Sequence, residues 1–171
     1  MNQDLSDDQI RFYLGNECKI YKYSELRQFE NIIQLLPKRI DYCIILVESS
    51  PNVGHWTALL KYGKVIETFD SYGCSIDNEL KFISKGVKKA LGEDHLLLTN
   101  LLKTQGERVI FNRVKFQKLS NQVATCGRHC IWRILKLLHD KMSLSQYINY
   151  MEREKKLQKK SFDQLVLEFV P

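Results

Sequence analysis

The residues best suited to chemistry are a histidine, an aspartate and a cysteine that lie far apart in the chain. His55 comes just before one apolar run, Asp70 comes just after the next, and Cys126 begins the longest apolar helical segment. A thiol at a helix start, an imidazole and a carboxylate are the three groups of a nucleophilic cysteine site. Whether they form one site depends on the elements that carry them.

Two neighbouring segments have the composition of β-strands. Residues 56–62 and 65–69 are rich in aromatic and β-branched side chains, and only Gly63 and Lys64 separate them. A two-residue link that begins with glycine is typical of a tight type II′ hairpin, because glycine accepts a positive φ. The sequence therefore predicts an antiparallel hairpin at this point.

The register of this hairpin decides whether His55 and Asp70 can meet. If Tyr62 pairs with Val65, then Thr57 pairs with Asp70, and His55 lies two residues before Thr57 on the same face of the sheet. Diagonal neighbours of this kind are within side-chain reach. A register error of one residue would move Asp70 to the other face.

The segment that begins at Cys126 is predicted to be a central, buried helix. It is apolar around most of its circumference as far as His139. Gly127 suits a helix start, which places Cys126 at the positive end of the helix dipole, where a thiolate is favoured. Free backbone N–H groups at that end could bind a developing oxyanion.

The same helix contains a second thiol and a second imidazole. Cys130 lies one turn into the helix, where we expect a buried, unreactive thiol. His129 and Cys130 beside Cys126 match no standard set of zinc ligands, and the sequence has no second cysteine pair. We therefore expect no metal in this site.

Length and composition favour one globular domain over residues 1–171. The chain is 44% hydrophobic, which is enough for a core. No apolar run approaches the roughly 20 residues of a membrane span. The acidic, polar N-terminal segment is unlike a secretory signal, and the five cysteines are odd in number and scattered. We expect reduced thiols and a protein that is not secreted.

The formal net charge of +6 leaves two interpretations open. Lys81, Lys85, Lys88 and Lys89 fall on one side of a helix predicted near residues 77–91, and the segment 152–160 is also basic. Such faces can bind a polyanion such as nucleic acid, or an acidic protein surface. Amphipathic surface helices also carry such charge with no partner.

The remaining elements predict an α+β fold in which helices and strands are partly segregated. Capping-box spacing marks helix starts at Ser6, Ser143 and Ser161. The segment 96–102 could be a strand or a helix. Helices are expected near residues 7–14, 24–30, 77–91, 126–140, 144–157 and 162–169, and strands near 42–48, 56–62, 65–69 and 108–111.

These motifs together resemble a known family. The sequences Gly54-His55-Trp56, Phe69-Asp70-Ser71-Tyr72-Gly73 and Cys126-Gly127, with Cys130 a turn later, resemble the adenovirus protease and ubiquitin-like-protein protease superfamily of cysteine peptidases. The resemblance extends over most of the chain. Within the superfamily it is strongest to the compact capsid-maturation proteases of adenoviruses, virophages and Polinton-type elements.

The resemblance implies a papain-like arrangement in which a central helix packs on a small mixed sheet. It makes Cys126 the nucleophile, His55 the general base and acid, and Asp70 the group that orients the imidazole. Trp56 would flank the site, and the Cys126-Gly127 backbone would contribute to the oxyanion hole. No cofactor is implied.

The family also has a glutamine shortly before the cysteine that donates to the oxyanion, and here the chain departs from the pattern. Family spacing falls on Leu119 or Ser120, and neither is glutamine. Gln117 is the preferred donor, because Asn112 precedes it much as an asparagine precedes the glutamine in Polinton-type sequences. Gln122 and Asn121 remain alternatives.

The function implied by the resemblance is that of a monomeric cysteine endopeptidase. Its substrates would be viral capsid or core precursors cut at Gly-containing sites, in the virion and in the virus factory of the host cytoplasm. DNA could be a further partner through the basic face. Two alternatives stay open, namely a deconjugating protease for ubiquitin-like modifiers and a non-enzymatic, basic nucleic-acid-binding protein.

Overall fold

The computed structural model describes residues 4–171, so Met1 to Gln3 of the acidic N-terminal segment lie outside the described residues. Helices and strands are interspersed along the chain up to the central helix, after which the described residues are helical. The helices are α1 (Asp7–Leu14), α2 (Ile32–Leu35), α3 (Lys85–Leu91), α4 (Leu97–Leu102), α5 (Cys126–Asp140), α6 (Leu144–Gln158) and α7 (Phe162–Phe169). The strands are β1 (Ile20–Lys22), β2 (Asp41–Ser50), β3 (Val53–Tyr62), β4 (Val65–Phe69) and β5 (Arg108–Phe111).

The strands form one mixed sheet in the order β1-β2-β3-β4-β5. The two edge pairs, β1 with β2 and β4 with β5, are parallel. The central pairs, β2 with β3 and β3 with β4, are antiparallel.

The predicted β3–β4 hairpin is confirmed. Tyr62 pairs with Val65, and Gly63 has the positive φ that the turn requires. The ladder ends with the pair Ala58 and Phe69, so Asp70 follows directly after β4. This is the register that brings Asp70 to the face of His55.

Helix α5 packs across one face of the sheet. Its side chains Ile131 and Ile134 are fully buried, in one apolar cluster with Ile44 of β2 and Leu60 of β3. A second cluster covers the opposite face, where Ile45 and its neighbours meet α4 and the segment before β2. Burial on both faces explains why β2 is almost continuously apolar. The predicted α+β class, with a central helix on a small mixed sheet, is confirmed.

The helix starts that depend on local chemistry also agree with the prediction. Reciprocal capping boxes form between Ser6 and Gln9, Ser143 and Gln146, and Ser161 and Gln164. Each box satisfies two backbone N–H groups that the helix leaves unpaired, which fixes where the helix begins.

The single helix predicted near residues 77–91 is wrong. A 3₁₀ helix spans Asn78–Phe82, the chain is extended at Ile83, and Ser84 caps the start of α3 by accepting the Val87 N–H. The hydroxyl of Ser84 offers the backbone a helix start where the periodicity indicated continuation. Lys81 therefore lies on a different element from the other three lysines of the predicted basic face.

Four shorter elements were predicted as a different helix type, left ambiguous or not predicted. The segment near 24–30 is a 3₁₀ helix over Tyr23–Gln28, and the ambiguous segment at 96–102 is helical as α4. Strand β1 and helix α2 have three and four residues, too few for a periodic signal.

Candidate active site

His55 and Asp70 are in direct contact at the end of the β3–β4 hairpin. The His55 Nε2 and the Asp70 Oδ1 are 2.9 Å apart, and the Tyr72 N–H donates to the same oxygen at 2.7 Å. Asp70 is buried, while the His55 side chain keeps 16% of its surface exposed. The carboxylate is thus fixed by its own turn and oriented toward an imidazole that faces a cleft.

The third group of the arrangement reaches the same imidazole. Cys126 is the first residue of α5, and its thiol lies close enough to His55 to raise the pKa of the imidazole. Because Nε2 contacts Asp70, Nδ1 is the ring nitrogen left for the thiol. Cys126 is buried, with 4% of its surface exposed.

The electrostatics of His55 favour the imidazolium. Burial alone would lower the pKa of His55, but the hydrogen bonds to Asp70 and Cys126 outweigh burial and raise it to about 10. A charged partner that accepts a hydrogen bond from the ring stabilises the protonated form. The arrangement can therefore hold an imidazolium beside the sulfur, which is the electrostatic condition for a reactive thiol.

The second thiol of α5 has a different environment. Cys130 is fully buried, and its Sγ contacts the Trp56 carbonyl oxygen at 3.5 Å. Burial raises the pKa of Cys130 well above its usual range. This agrees with the expectation of a packed, unreactive thiol.

Two residues around the histidine and aspartate were not given a role from the sequence. Tyr72 stacks on the His55 ring with the centroids 4.5 Å apart, and Asn112 donates to the Asp70 carbonyl at 2.7 Å. Asn112 also donates to the Val114 carbonyl, so it ties the Asp70 turn to the chain after β5. Tyr72 follows Asp70 by two residues, and this spacing was the signal available for it.

Gln117 lies beside this site with its side chain fixed. The Ser71 hydroxyl donates to its Oε1 at 2.7 Å, and its Nε2 donates to the Val123 carbonyl at 2.9 Å. An amide nitrogen carries two hydrogens, so one remains for a further acceptor. The two alternatives, Asn121 and Gln122, are exposed in a turn.

Trp56 and Gly127 form a packed wall beside Cys126. Trp56 is buried, and its indole N–H donates to the Leu5 carbonyl at 3.0 Å. A β-carbon at Gly127 would lie 3.2 Å from the Trp56 ring and 3.4 Å from Leu5. The glycine therefore lets the helix start approach the tryptophan closely.

A cavity of about 400 Å³ opens on the His55 side of the site. Its walls include His55, Tyr72 and Gln117 together with the apolar side chains Phe82 and Leu119. A second cavity of about 400 Å³ lies beyond Gly54 and is lined by Trp56 and the acidic start of α1. Gly54 belongs to the lining of both cavities.

Within residues 4–171, no group of three or more histidine, cysteine, aspartate or glutamate side chains is arranged to hold a metal ion. In the same range, no helix combines the length and the apolar composition needed to cross a membrane.

Comparison with known proteins yields one close relative and several distant structural likenesses. No protein-family model matches the chain. Among solved structures, the ASFV pS273R protease matches with a TM-score of 0.47 and 15% identity, over 85% of this chain and 61% of that protease. A de-sumoylating protease matches with a TM-score of 0.35 and 15% identity, over 96% of this chain and 71% of that one. This chain thus spans about three fifths of the length of the ASFV protease.

The relative comes from a virophage. The uncharacterized protein V9 of Sputnik virophage is 34% identical over 148 residues, which are 86% of this chain and 84% of V9. Identity at this level over most of both sequences means a common fold and a common origin. The chain belongs to the same family as protein V9 of Sputnik virophage.

Proposed function

We propose that this protein is a cysteine endopeptidase that processes viral capsid or core precursor proteins. The observation that carries the proposal is that one imidazole, that of His55, is hydrogen-bonded to the Asp70 carboxylate and interacts electrostatically with the Cys126 thiol at the start of α5. A nucleophile, a base and a group that orients the base are the parts required for acyl transfer through a thioester.

The reaction begins with the thiol and the imidazole. In the resting pair the proton of Cys126 already resides on His55, where Asp70 stabilises the imidazolium beside the thiolate. The thiolate attacks the carbonyl carbon of the scissile peptide bond and forms a tetrahedral intermediate. His55 then returns the proton to the leaving amine, the peptide C–N bond breaks, and a thioester remains on Cys126. Water activated by His55 hydrolyses the thioester and restores the thiol.

Stabilisation of the oxyanion is assigned to the helix start and to Gln117. The first backbone N–H groups of α5 have no partner within the helix, and one hydrogen of the Gln117 amide remains after its bond to Val123. One preorganised donor of this kind contributes about 3–4 kcal/mol to transition-state stabilisation in acyl-transfer enzymes. Gln117 is preferred over Gln122 because it is buried in the wall of the cavity that His55 lines.

The substrate class follows from the cleft and from the relative. The two cavities, which both have Gly54 in their lining, would accommodate residues of a polypeptide substrate. We place the cut at Gly-containing sites, as the resemblance of the sequence motifs implies. A virophage relative makes the precursors of the same viral genome the first substrates to test, with action in the virus factory and the virion.

The decisive experiment compares the wild type with Cys126→Ala on the capsid precursor from the same genome. New termini mapped by mass spectrometry should follow Gly-containing sequences with the wild type and should be absent with Cys126→Ala. Cys130→Ala is the matched control, because it removes a thiol from the same helix and should leave the cleavage sites unchanged. Cleavage by Cys126→Ala would overturn the proposal.

Two further substrates separate the alternatives. Cleavage of a ubiquitin-like modifier fusion, with no action on short Gly-containing peptides, would favour a deconjugating protease. Binding of nucleic acid that weakens steeply with salt, and no cleavage at all, would favour a basic structural protein.

A further inference from the structure

A carboxylate on the C-terminal helix α7 contacts both chain segments that border the proposed oxyanion hole. Asp163 accepts a hydrogen bond from the Thr125 hydroxyl through Oδ1, and the Lys118 N–H donates to its Oδ2 at 2.9 Å. Its Oδ1 also lies 3.1 Å from the His129 Nε2. One side chain therefore bonds to three different parts of the nucleophile region.

Two of these partners lie next to residues of the proposed active site. Thr125 directly precedes Cys126, and Lys118 directly follows Gln117. Both ends of the segment 118–125 are thus hydrogen-bonded to the same carboxylate. Gln117 in turn donates to the Val123 carbonyl inside this segment. The middle of the segment has little packing of its own, since Leu119 is 76% exposed and both Asn121 and Gln122 are exposed.

The charge states of Asp163 and His129 favour these hydrogen bonds. Burial would raise the pKa of Asp163, but its bonds to His129, Thr125 and Lys118 outweigh burial and lower it. Burial lowers the pKa of His129, which keeps this imidazole neutral with its single proton on the nitrogen that faces Asp163. The carboxylate thus stays charged and receives three hydrogen bonds, so its preferred geometry is well defined.

We propose that Asp163 is a positioning residue that fixes the Gln117 amide relative to Cys126 by holding both ends of the segment between them. The inference rests on the proposed function, because it assigns Asp163 to the oxyanion hole of that reaction. Asp163 does not touch the reacting atoms. It acts through Gln117, and a misplacement of about 1 Å in a catalytic group can lower the rate about 100-fold.

The test is a double-mutant cycle on peptide hydrolysis with Gln117→Ala, Asp163→Asn and the double variant. Asparagine has nearly the same shape but one acceptor fewer, so at least one of the three bonds is lost. We expect Asp163→Asn to lower kcat about 10- to 100-fold with little change in KM, since the oxyanion forms only in the transition state. In the Gln117→Ala background, the same change should lower kcat less than about threefold.

A second readout separates positioning from general loss of structure. Alkylation of Cys126 by iodoacetamide needs the thiolate but no oxyanion hole, so its rate should stay within about threefold of wild type in Asp163→Asn. Asp140→Asn is the matched control, because it removes an exposed carboxylate at the other end of α5 and should change neither rate. If Asp163→Asn does not fold, Thr125→Val removes one of the three bonds and enters the same cycle.

The outcomes are distinguishable from failure of the proposed function. Losses in kcat that multiply in the double variant, or a fall in alkylation as large as the fall in hydrolysis, would overturn the role of Asp163 and leave the peptidase intact. Hydrolysis that is absent from the wild type, or that persists in Cys126→Ala, would overturn the proposed function and the role of Asp163 with it.

Discussion

At the scale of single residues, the site depends on how one imidazole is charged. His55 is held between a carboxylate and a thiol, and the pKa of about 10 means that it carries a proton through the physiological pH range. In the unfolded chain an ordinary histidine titrates near pH 6.5. The folded state therefore binds this proton more tightly than the unfolded state does, which links the stability of the protein to pH.

The sign of this linkage gives a prediction for Asp70→Asn. The stabilisation from His55 is fully present below about pH 6.5 and is lost as the pH rises through about 10. Removing the carboxylate charge should lower the pKa of His55 and reduce that contribution. The difference in unfolding free energy between wild type and Asp70→Asn should therefore be largest near pH 6 and shrink toward pH 10, as measured by urea denaturation.

Asp140→Asn provides the comparison for this titration. Lys136 holds the pKa of Asp140 below its usual range, so its contribution is constant over the same pH interval. The difference between wild type and Asp140→Asn should be flat from pH 6 to pH 10. A wild-type advantage over Asp70→Asn that grows with pH would contradict the charge assigned to His55.

At the scale of elements, the β2–β3 pair sets the position of the histidine. Val47 pairs with His55 and Glu48 pairs with Gly54, next to an irregularity in the ladder. A β-carbon at Gly54 would lie 2.0 Å from the Val47 carbonyl oxygen, which is backbone and cannot rotate away. The glycine is required by this close approach, because the two strands could not otherwise keep their register beside His55.

Gly54→Ala should therefore destabilise the protein and impair the site at once. We expect a loss of about 1–3 kcal/mol in unfolding free energy, as for other overpacked positions, together with slower alkylation of Cys126. Gly86→Ala is the matched control, because a β-carbon there meets nothing within 4 Å and the residue lies inside α3. That change should be neutral or stabilising by about 0.5–1 kcal/mol. If Gly54→Ala and Gly86→Ala had equal thermal stability, strands β2 and β3 would have to shift to make room for the added β-carbon, which would contradict this expectation.

At the scale of the whole molecule, a buried ion pair joins the sheet to the central helix. Arg133 of α5 donates to both oxygens of Glu67 in β4, at 2.8 and 2.7 Å, and both side chains are fully buried. The Tyr62 hydroxyl donates to the same carboxylate and accepts the Leu144 N–H at the start of α6. This network fixes where α5 lies relative to the strands, and thereby the position of Cys126 at the start of the helix.

Replacing one member of this ion pair should lower the unfolding free energy more than replacing both members. Arg133→Met leaves an unpaired buried carboxylate and should lower the unfolding free energy by about 3–5 kcal/mol. Adding Glu67→Leu removes that charge and should recover much of the loss. Chemical denaturation of the two variants and the wild type measures both effects. A double variant that is less stable than Arg133→Met would mean that the pair contributes by packing rather than by charge.

Several features of the fold could be predicted because their causes are local. The glycine at the β3–β4 turn, the register that follows from it, and the three capping boxes depend on residues within a few positions of one another. The contact between His55 and Asp70 follows from the same hairpin, since alternation along a strand fixes the face of each side chain. The buried character of α5 was likewise visible in its apolar circumference.

The rest required the tertiary structure, because it depends on contacts between distant segments. The approach of the Cys126 thiol to His55 is set by the packing of α5 on the sheet, and no pattern within α5 encodes it. The Gln117 side chain is held by Ser71, 46 residues away in the chain, and the contact of Asp163 with Thr125 joins segments 38 residues apart. The residue types and their spacing along the chain indicated which groups could react. Packing across the molecule decided which of them meet, because long-range contacts are selected by the burial of the whole core and not by neighbours along the chain.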